Sequence, residues 1–326
     1  MMAGGAGTPR LGIVAIGVLI LLIFVAIPLF FSQWVVFLVT IALAKAMVVL
    51  GVVLLLRGGL ISFGHGLYFA AGGYAVGFAM RFLQVQDLVL LVALAMIAGT
   101  VMAALLGLLL RRYRGIFFAM LSLAVSMILY TLLLKFYSLT GGTDGMSIHA
   151  FTVFGVRPAA GTTRQVLYYA VFALSLGVLY LGHRFAASPL GYFMKALRDN
   201  EIRIEYVGAS IAQPIYFSYV FSGALGGLGG GLSALSVGQI SPEAAYWTTS
   251  GDFVFVAIFG GAQSIFAPFL GSVVFEFVKN YAVKFSPEAW QMTLGAVLLL
   301  IIFFLPDGLW SFKDAASRLW ARWRRS

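Results

Sequence analysis

Runs of about twenty residues without a single charge recur along this chain, and they fix its solvent before anything else is asked of it. Residues 88–110 are one such run, reading LVLLVALAMIAGTVMAALLGLLL. A helix needs ~20 apolar residues to cross the hydrocarbon core of a bilayer. Across all 326 residues, 62% are hydrophobic and 10% are charged, against about 25% charged in a soluble domain. No water-soluble fold hides that much apolar surface. Lipid offers the backbone no hydrogen-bond partners, so the chain must close into helices or a barrel. Barrel strands alternate polar and apolar residues over ~10 positions, whereas these runs are continuous. The fold class is therefore all-α, a polytopic helical membrane protein of about ten transmembrane or re-entrant helices.

Crossings are expected near 11–30, 35–56, 60–80, 88–110, 115–137, 166–183, 214–236, 250–264, 266–284 and 291–309. The first run exceeds the ~7–15-residue core of a signal peptide, and no small-x-small cleavage site follows it, so it is expected to remain as a helix. Short loops rich in Lys and Arg stay cytoplasmic. Three such places stand out: Arg111, Arg112 and Arg114; residues 184–203; and the tail with Lys313, Arg318, Arg322, Arg324 and Arg325. An even number of spans separates each from the next, which puts both termini on the cytoplasmic side and residues 138–165 outside. Residues 1–310 then form one transmembrane domain and 311–326 a basic cytoplasmic tail. The eighth crossing is short, carries Asp252 and ends in Gly260 and Gly261. It reads as a broken or re-entrant element, which is tolerated at membrane depth only beside protein or a wet cavity.

Several chemistries find no support. The chain has no cysteine, so no disulfide framework or Cys-based metal or redox site is expected. His65, His149 and His183 are far apart and show no ligand spacing, so no metal site is expected either. No phosphate-binding GxxxxGK[ST] loop occurs, and any ATP chemistry must sit on another subunit. The net charge of +10 gathers at the ends of apolar runs, where topology accounts for it without nucleic acid. No cluster of nucleophile, base and acid suggests a catalytic residue.

What remains is local. The stretch FSGALGGLGGG at 221–231 is a helix face rather than a loop. Ser222, Gly226 and Gly230 form one ridge and Gly223, Gly227 and Gly231 the next, allowing another backbone to come close. That serves ordinary packing or a helix that slides. Lys45 lies among fifteen Val, Ile, Leu and Phe residues between 35 and 56. Each favours insertion by roughly 0.3–0.6 kcal/mol against roughly 2.5–3.5 for a central lysine. Insertion wins, and the charge must then face water or a partner such as Asp252 or Glu276. Glu276 with Lys279 reads as a second, interfacial pair. The segment ASPLGYFMKALRDNEIRIEYVG at 187–208 reads as two short helices. Ser188 is an N-cap with Pro189 at the first helical position, and the step from Asp199 to Asn200 ends one helix and caps another. Its charges are of both signs, where a lipid-surface helix carries mostly Lys and Arg.

Three blocks of residues resemble a known family. GLISFGHGLYFAAGGYA at 59–75, the spacing of Gly191, Ala196, Arg198, Asn200, Glu201 and Gly208, and the ordered landmarks GQISPE (238–243), Gly260 with Gly261, 268–271 and LPDGL (305–309) are similar to the permease subunits of branched-chain amino acid ABC importers. The M-type subunit of that heteromeric pair, as in high-affinity leucine, isoleucine and valine systems, is the nearest likeness. Lys45 and Arg57 stand where the family usually has uncharged residues, and Gly73 where it has alanine.

The resemblance implies an inner-membrane chain that is not an enzyme. Its expected partners are an H-type permease, two cytoplasmic ATPase subunits that carry ATP and Mg, and an external or periplasmic solute-binding protein. It implies no cofactor on this chain. A substrate route is expected near Ser62, Gly64, His65 and Tyr74, where a Gly-rich segment permits close backbone approach, with Lys45 beside them. Residues 191–205, long enough for a helix, capped by Ser188 and Pro189 and lying between spans on the basic side, are expected to form an ATPase-coupling element with Leu190, Gly191, Phe193, Lys195, Leu197, Arg198, Asp199, Asn200 and Glu201, in which Leu190, Phe193 and Leu197 anchor in a partner groove. Substrates run from branched-chain amino acids to urea, other amino acids and organic acids, and a buried lysine suits a carboxylate. An ion-coupled secondary carrier drawing on Lys45, Asp252 and Glu276 is the alternative.

Overall fold

The computed structural model describes residues 21–159, 161–285, 287–304 and 308–309. Its helices are α1 (Leu21–Phe30), α2 (Gln33–Leu56), α3 (His65–Phe82), α4 (Leu88–Leu110), α5 (Gly115–Lys135), the single turn α6 (Tyr137–Thr140), α7 (Thr163–Ala186), α8 (Pro189–Asp199), α9 (Glu201–Tyr206), α10 (Ala212–Val237), α11 (Trp247–Gly260), α12 (Ala267–Phe285) and α13 (Trp290–Phe304). Strands β1 (Met146–Ser147) and β2 (Gln239–Ile240) make one short antiparallel pair. By length and composition α2, α4, α5, α7 and α10 are each able to cross a membrane. The remaining apolar runs of the sequence coincide with α3, α11, α12 and α13. Of the first expected crossing only α1 falls within the described residues, and the basic tail at 311–326 lies outside them.

Helix α10 is the hub, and its composition explains why. Between 223 and 231 it carries six glycines, and each faces a neighbour too close for a side chain. A Cβ at Gly223 would strike Ala103, and at Gly227 or Gly231 it would strike Ala95 or its carbonyl, so this ridge receives α4. A Cβ at Gly226 would meet Tyr68 and at Gly230 the carbonyl of Phe69, so that ridge receives α3. Gly229 meets Ala44 and Val48 of α2. With no hydrophobic force between helices in lipid, such close approach is what holds them. Helix α2, the other side of this core, is almost wholly enclosed by protein.

Helix α2 stops at a glycine. Gly59 has φ +74°, the left-handed region open to residues without a Cβ. The Leu60 amide donates to the Leu55 carbonyl (3.1 Å) and the Gly59 amide to that of Leu56 (3.0 Å), the paired bonds of a Schellman ending. Sequence periodicity places the next crossing from residue 60, but the turn delays α3 to His65. Residues 60–64 run as nonhelical, largely buried chain.

The connections sort into two ends. At one, Leu88 N–H donates to Thr152 O (2.8 Å), Ile148 N–H to Gly238 O (2.9 Å), and β1 pairs with β2. At the other, Arg114 bonds Glu201, Arg57 bonds the 262–263 turn, and Gly59 lies against Arg198. The 111–114 and 187–208 segments thus share one end and the 138–159 loop occupies the opposite one, as the spacing of basic loops requires. Helix α11, 14 residues and ~21 Å long at ~1.5 Å per residue, is too short for a ~30 Å hydrocarbon core. It folds back on α12, with Gly260 packed against Ala267 and Gly271.

Candidate functional site

Three groupings of polar side chains emerge, and the first is a buried knot where α3 begins. Backbone amides in the nonhelical stretch before α3 and in its first turn need acceptors, and serines from distant helices supply two of them. Phe63 N–H donates to Ser122 Oγ (3.1 Å) and Gly66 N–H to Ser250 Oγ (2.8 Å). His65 is fully buried, with Nδ1 3.1 Å from Ser62 Oγ and Nε2 2.6 Å from Ser222 Oγ. Beside it the Tyr68 hydroxyl donates to that of Tyr219 at 2.5 Å. The Gly64 backbone lies against Ser122. Ser62, Gly64 and His65 therefore come together as a cross-link among α3, α5, α10 and α11. Tyr74, 3% exposed, is enclosed in the core with its ring 5.9 Å from that of Phe78.

The second grouping surrounds a half-open cavity of about 270 Å³ between α2, α10, α11 and α12, lined also by β2 and by Ser241, Glu243 and Ala244. Lys45, alone of the five residues expected on a substrate route, lines it. Lys45 Nζ lies 2.7 Å from Glu276 Oε1, and Lys279 Nζ lies 2.6 Å from Asp252 Oδ2. The expected Glu276–Lys279 pair does not form. The two residues are three apart on α12 and neighbours on one face, but each turns to a different helix. Ser272, Glu276 and Lys279 share that face by their spacing of four and three, and all three line the cavity. Glu243 adds a third carboxylate. Only the spacing on α12 was available in the sequence as a signal for Ser272; Glu243 was marked only as the end of the GQISPE block, and nothing local marked Ser122 or Ser250.

Arg57 sits at the end of α2, beyond the cavity. Its Nε donates to Ala262 O (3.0 Å) and its Nη2 to Gln263 O (2.6 Å). A cation at the carboxyl end of a helix is favourably placed, and here it fastens the turn between α11 and α12 to α2.

The third grouping is the pair α8 and α9. Ser188 Oγ accepts from Gly191 N–H (3.3 Å), Pro189 opens α8, and Asn200 Oδ1 accepts from Arg203 N–H (2.9 Å) to start α9. The caps fall where the residue types place them, but the buried face corrects the expected anchors. Met194 and Leu197 are 1% and 5% exposed and pack on Leu55, Leu60 and Tyr219 of this same chain, with Phe193 against the same cluster. Leu197 therefore does not project toward a partner. Outward stand Tyr192, Lys195, Asp199, Ile202 and Tyr206. Arg114 Nε, 2.9 Å from Glu201 Oε1, ties α9 to the turn between α4 and α5.

A glycine-packed helical bundle with an internal charged cavity defines a multi-pass membrane protein with a polar interior site. The chain belongs to the family described as branched-chain amino acid transport system / permease component, whose model matches residues 34–302. Among curated proteins it is similar to the high-affinity branched-chain amino acid transport system permease protein LivM of Salmonella typhimurium, 28% identical over 275 residues, 77% of this chain and 64% of the relative. The LivM protein of Escherichia coli strain K12 is also 28% identical, over 318 residues, 90% of this chain and 73% of the relative. The chain thus spans about two thirds to three quarters of the length of these relatives. No solved structure matches it.

Proposed function

We propose that this chain is the membrane-spanning permease subunit of an ATP-binding cassette importer of the inner membrane, forming half of a pathway for branched-chain amino acids or a related small amino or organic acid. The end that carries Arg57, Arg111, Arg112, Arg114 and α8–α9 faces the cytoplasm, since short loops rich in Lys and Arg remain there, and both termini share that side. An H-type permease completes the pathway. Two ATPase subunits hold ATP and Mg, and an external solute-binding protein delivers the solute.

One observation carries the reading beyond family membership: a capped helix pair at the basic end, welded to the bundle by Met194 and Leu197 and presenting an unburied mixed-charge face. Such an arrangement transmits a push. Motion imposed on the outer face reaches α2, α3 and α10 through the same cluster that contains Leu55, Tyr68 and Tyr219. Mixed charges on that face fix the register of a protein partner more than they add affinity.

The experiment replaces the outer face and leaves the inner one intact. Tyr192→Ala with Ile202→Ala is expected to leave the chain folded in the membrane while ATPase subunits no longer co-purify and uptake falls at least tenfold. Retention of both would remove α8–α9 from the coupling role. The ion pairs inside the bundle favour a second reading, an ion-coupled carrier. Uptake that survives collapse of the proton and sodium gradients but stops without ATP excludes it.

A further inference from the structure

We propose that Arg57 is the joint through which a displacement of α8 reaches the α11–α12 hairpin, and with it the Asp252 and Glu276 side of the charged cavity. It is a positioning residue for transport rather than a solute contact. The inference rests on the importer reading only in taking α8 as the element that is pushed; the joint itself stands on its contacts.

Three consecutive residues at the end of α2 reach in two directions. Gly58 and Gly59 face α8: a Cβ at Gly58 would strike the Met194 side chain, and one at Gly59 would stand 3.8 Å from the Arg198 Cα. Arg57 faces the other way, donating from Nε to Ala262 O (3.0 Å) and from Nη2 to Gln263 O (2.6 Å). Bonds from the Gly58, Gly59 and Leu60 amides to the carbonyls of Leu55 and Leu56 close the turn, so the three residues move together. Beyond the joint, α11 and α12 form one body. A Cβ at Gly260 would lie 2.6 Å from Ala267 O, and one at Gly271 3.2 Å from Val256 O, a backbone approach as close as small residues allow. Further along, Lys279 of α12 meets Asp252 of α11 at 2.6 Å. A shift of the 262–263 turn therefore carries Asp252, Ser272, Glu276 and Lys279, all of which line the cavity.

Apolar packing alone would not transmit such a shift faithfully. Val49, Val52 and Val53 of α2 share one cluster with Phe253, Val256 and Phe275 of the hairpin, and contact of that kind has no preferred direction. Hydrogen bonds are directional, and a guanidinium holds its donors in a rigid fork. Two successive carbonyls gripped by one fork fix both the height and the rotation of the hairpin against α2. Helix α8 also bears on α10 without this joint, since Met194 and Leu197 share a cluster with Ile215 and Tyr219. Helix α10 supplies Ser233, Ala234 and Val237 to the cavity. The lining thus divides into a wall that α8 moves directly and a wall that it moves through Arg57.

The test places one cysteine in each wall, Thr249→Cys on α11 or Val237→Cys on α10, in a chain that has none of its own. In membrane vesicles holding the assembled transporter, labelling of this chain by an impermeant maleimide is timed with and without ATP. With Arg57 present, ATP is expected to change the rate at least threefold at both positions. Arg57→Met is expected to abolish the response at 249 and keep it at 237, while uptake falls at least tenfold and ATP hydrolysis stays within twofold. Arg57→Lys keeps a cation at the end of α2 but not the fork, and serves where the methionine variant fails to fold; it is expected to lose at least half of the response at 249. An arginine that merely capped a helix would not separate the two walls. An undiminished response at 249 in either variant, or loss at both positions together, overturns the joint. Hydrogen exchange of the 262–266 amides in the chain alone separates this outcome from the importer reading. Met194→Ala is expected to speed that exchange at least threefold when Arg57 is present and to add nothing in Arg57→Met. That pattern with no ATP response at either cysteine overturns the importer reading and leaves the joint standing, whereas additive effects overturn the joint.

Discussion

A methyl group added at Gly72 would overlap the carbonyl of Gly227, whereas one added at Gly177 would meet nothing within 4 Å. Glycine is thus a contact surface at the first position and an incidental residue at the second. Gly72→Ala is expected to destabilise the folded bundle by about 1–3 kcal/mol through overpacking, and Gly177→Ala to stay within ~0.5 kcal/mol, as thermal unfolding in detergent will show. At this scale the sequence was readable where the cause was local. Four-residue spacing alone placed Ser222, Gly226 and Gly230 on one ridge. His65 was conspicuous as a residue, but its partner Ser222 is 157 positions away, and no local pattern announces such a bond. Lys45 announced a charge in need of a partner. Only packing chose Glu276 over Asp252.

Helix ends were more legible than helix faces. Ser188, Pro189 and Asn200 act on neighbours within three residues, so α8 and α9 start where the sequence puts them. Which side of α8 is buried depends on where Leu55, Leu60 and Tyr219 lie, and those are set by the whole bundle. The outcome reverses the expected use of Leu197. Leu197→Ala is expected to cost about 2–5 kcal/mol as a buried truncation, while Lys195→Ala stays within ~0.5 kcal/mol. Ser188→Ala lies between, at about 1 kcal/mol for a lost cap. Hydrogen exchange of α8 amides would rank the three. The late start of α3 was hidden for a related reason. Residues 60–64 are as apolar as a helix, and a nonhelical course there is tolerable because Ser122 of a distant helix accepts from Phe63 N–H and Ser62 from Gly64 N–H.

Across the whole molecule, basic residues alone sorted the loops into two ends, and the 138–159 loop falls opposite the 111–114 and 187–208 segments in the fold. The chain contains no cysteine, so single substitutions report their side without background. Cysteines at Arg112 and Lys195 are expected to react with an impermeant maleimide only from the cytoplasmic face, and one at Thr143 only from outside. Reaction of positions 112 and 143 from the same side would break the arrangement. The cavity was the least legible feature. Its lining is gathered from five stretches of chain; Lys45, Asp252, Glu276 and Lys279 stood out beforehand because a charge in an apolar run is conspicuous, and Glu243 only as part of the GQISPE block, whereas Ser272 did not.

The Lys45–Glu276 bond also sets an order of events at the ribosome. The two residues are 231 positions apart, and at ~5–20 residues per second the lysine waits some ten to fifty seconds for its carboxylate to be made. During that interval α2 sits in the bilayer with an unmatched ammonium, at a cost of roughly 2.5–3.5 kcal/mol. A chain that terminates early, before α12 emerges, never escapes this condition and carries its own mark for disposal. In a pulse-chase measurement, a truncation ending at residue 260 should be degraded faster than the same truncation bearing Lys45→Leu, while the full-length pair should show no such difference in that direction.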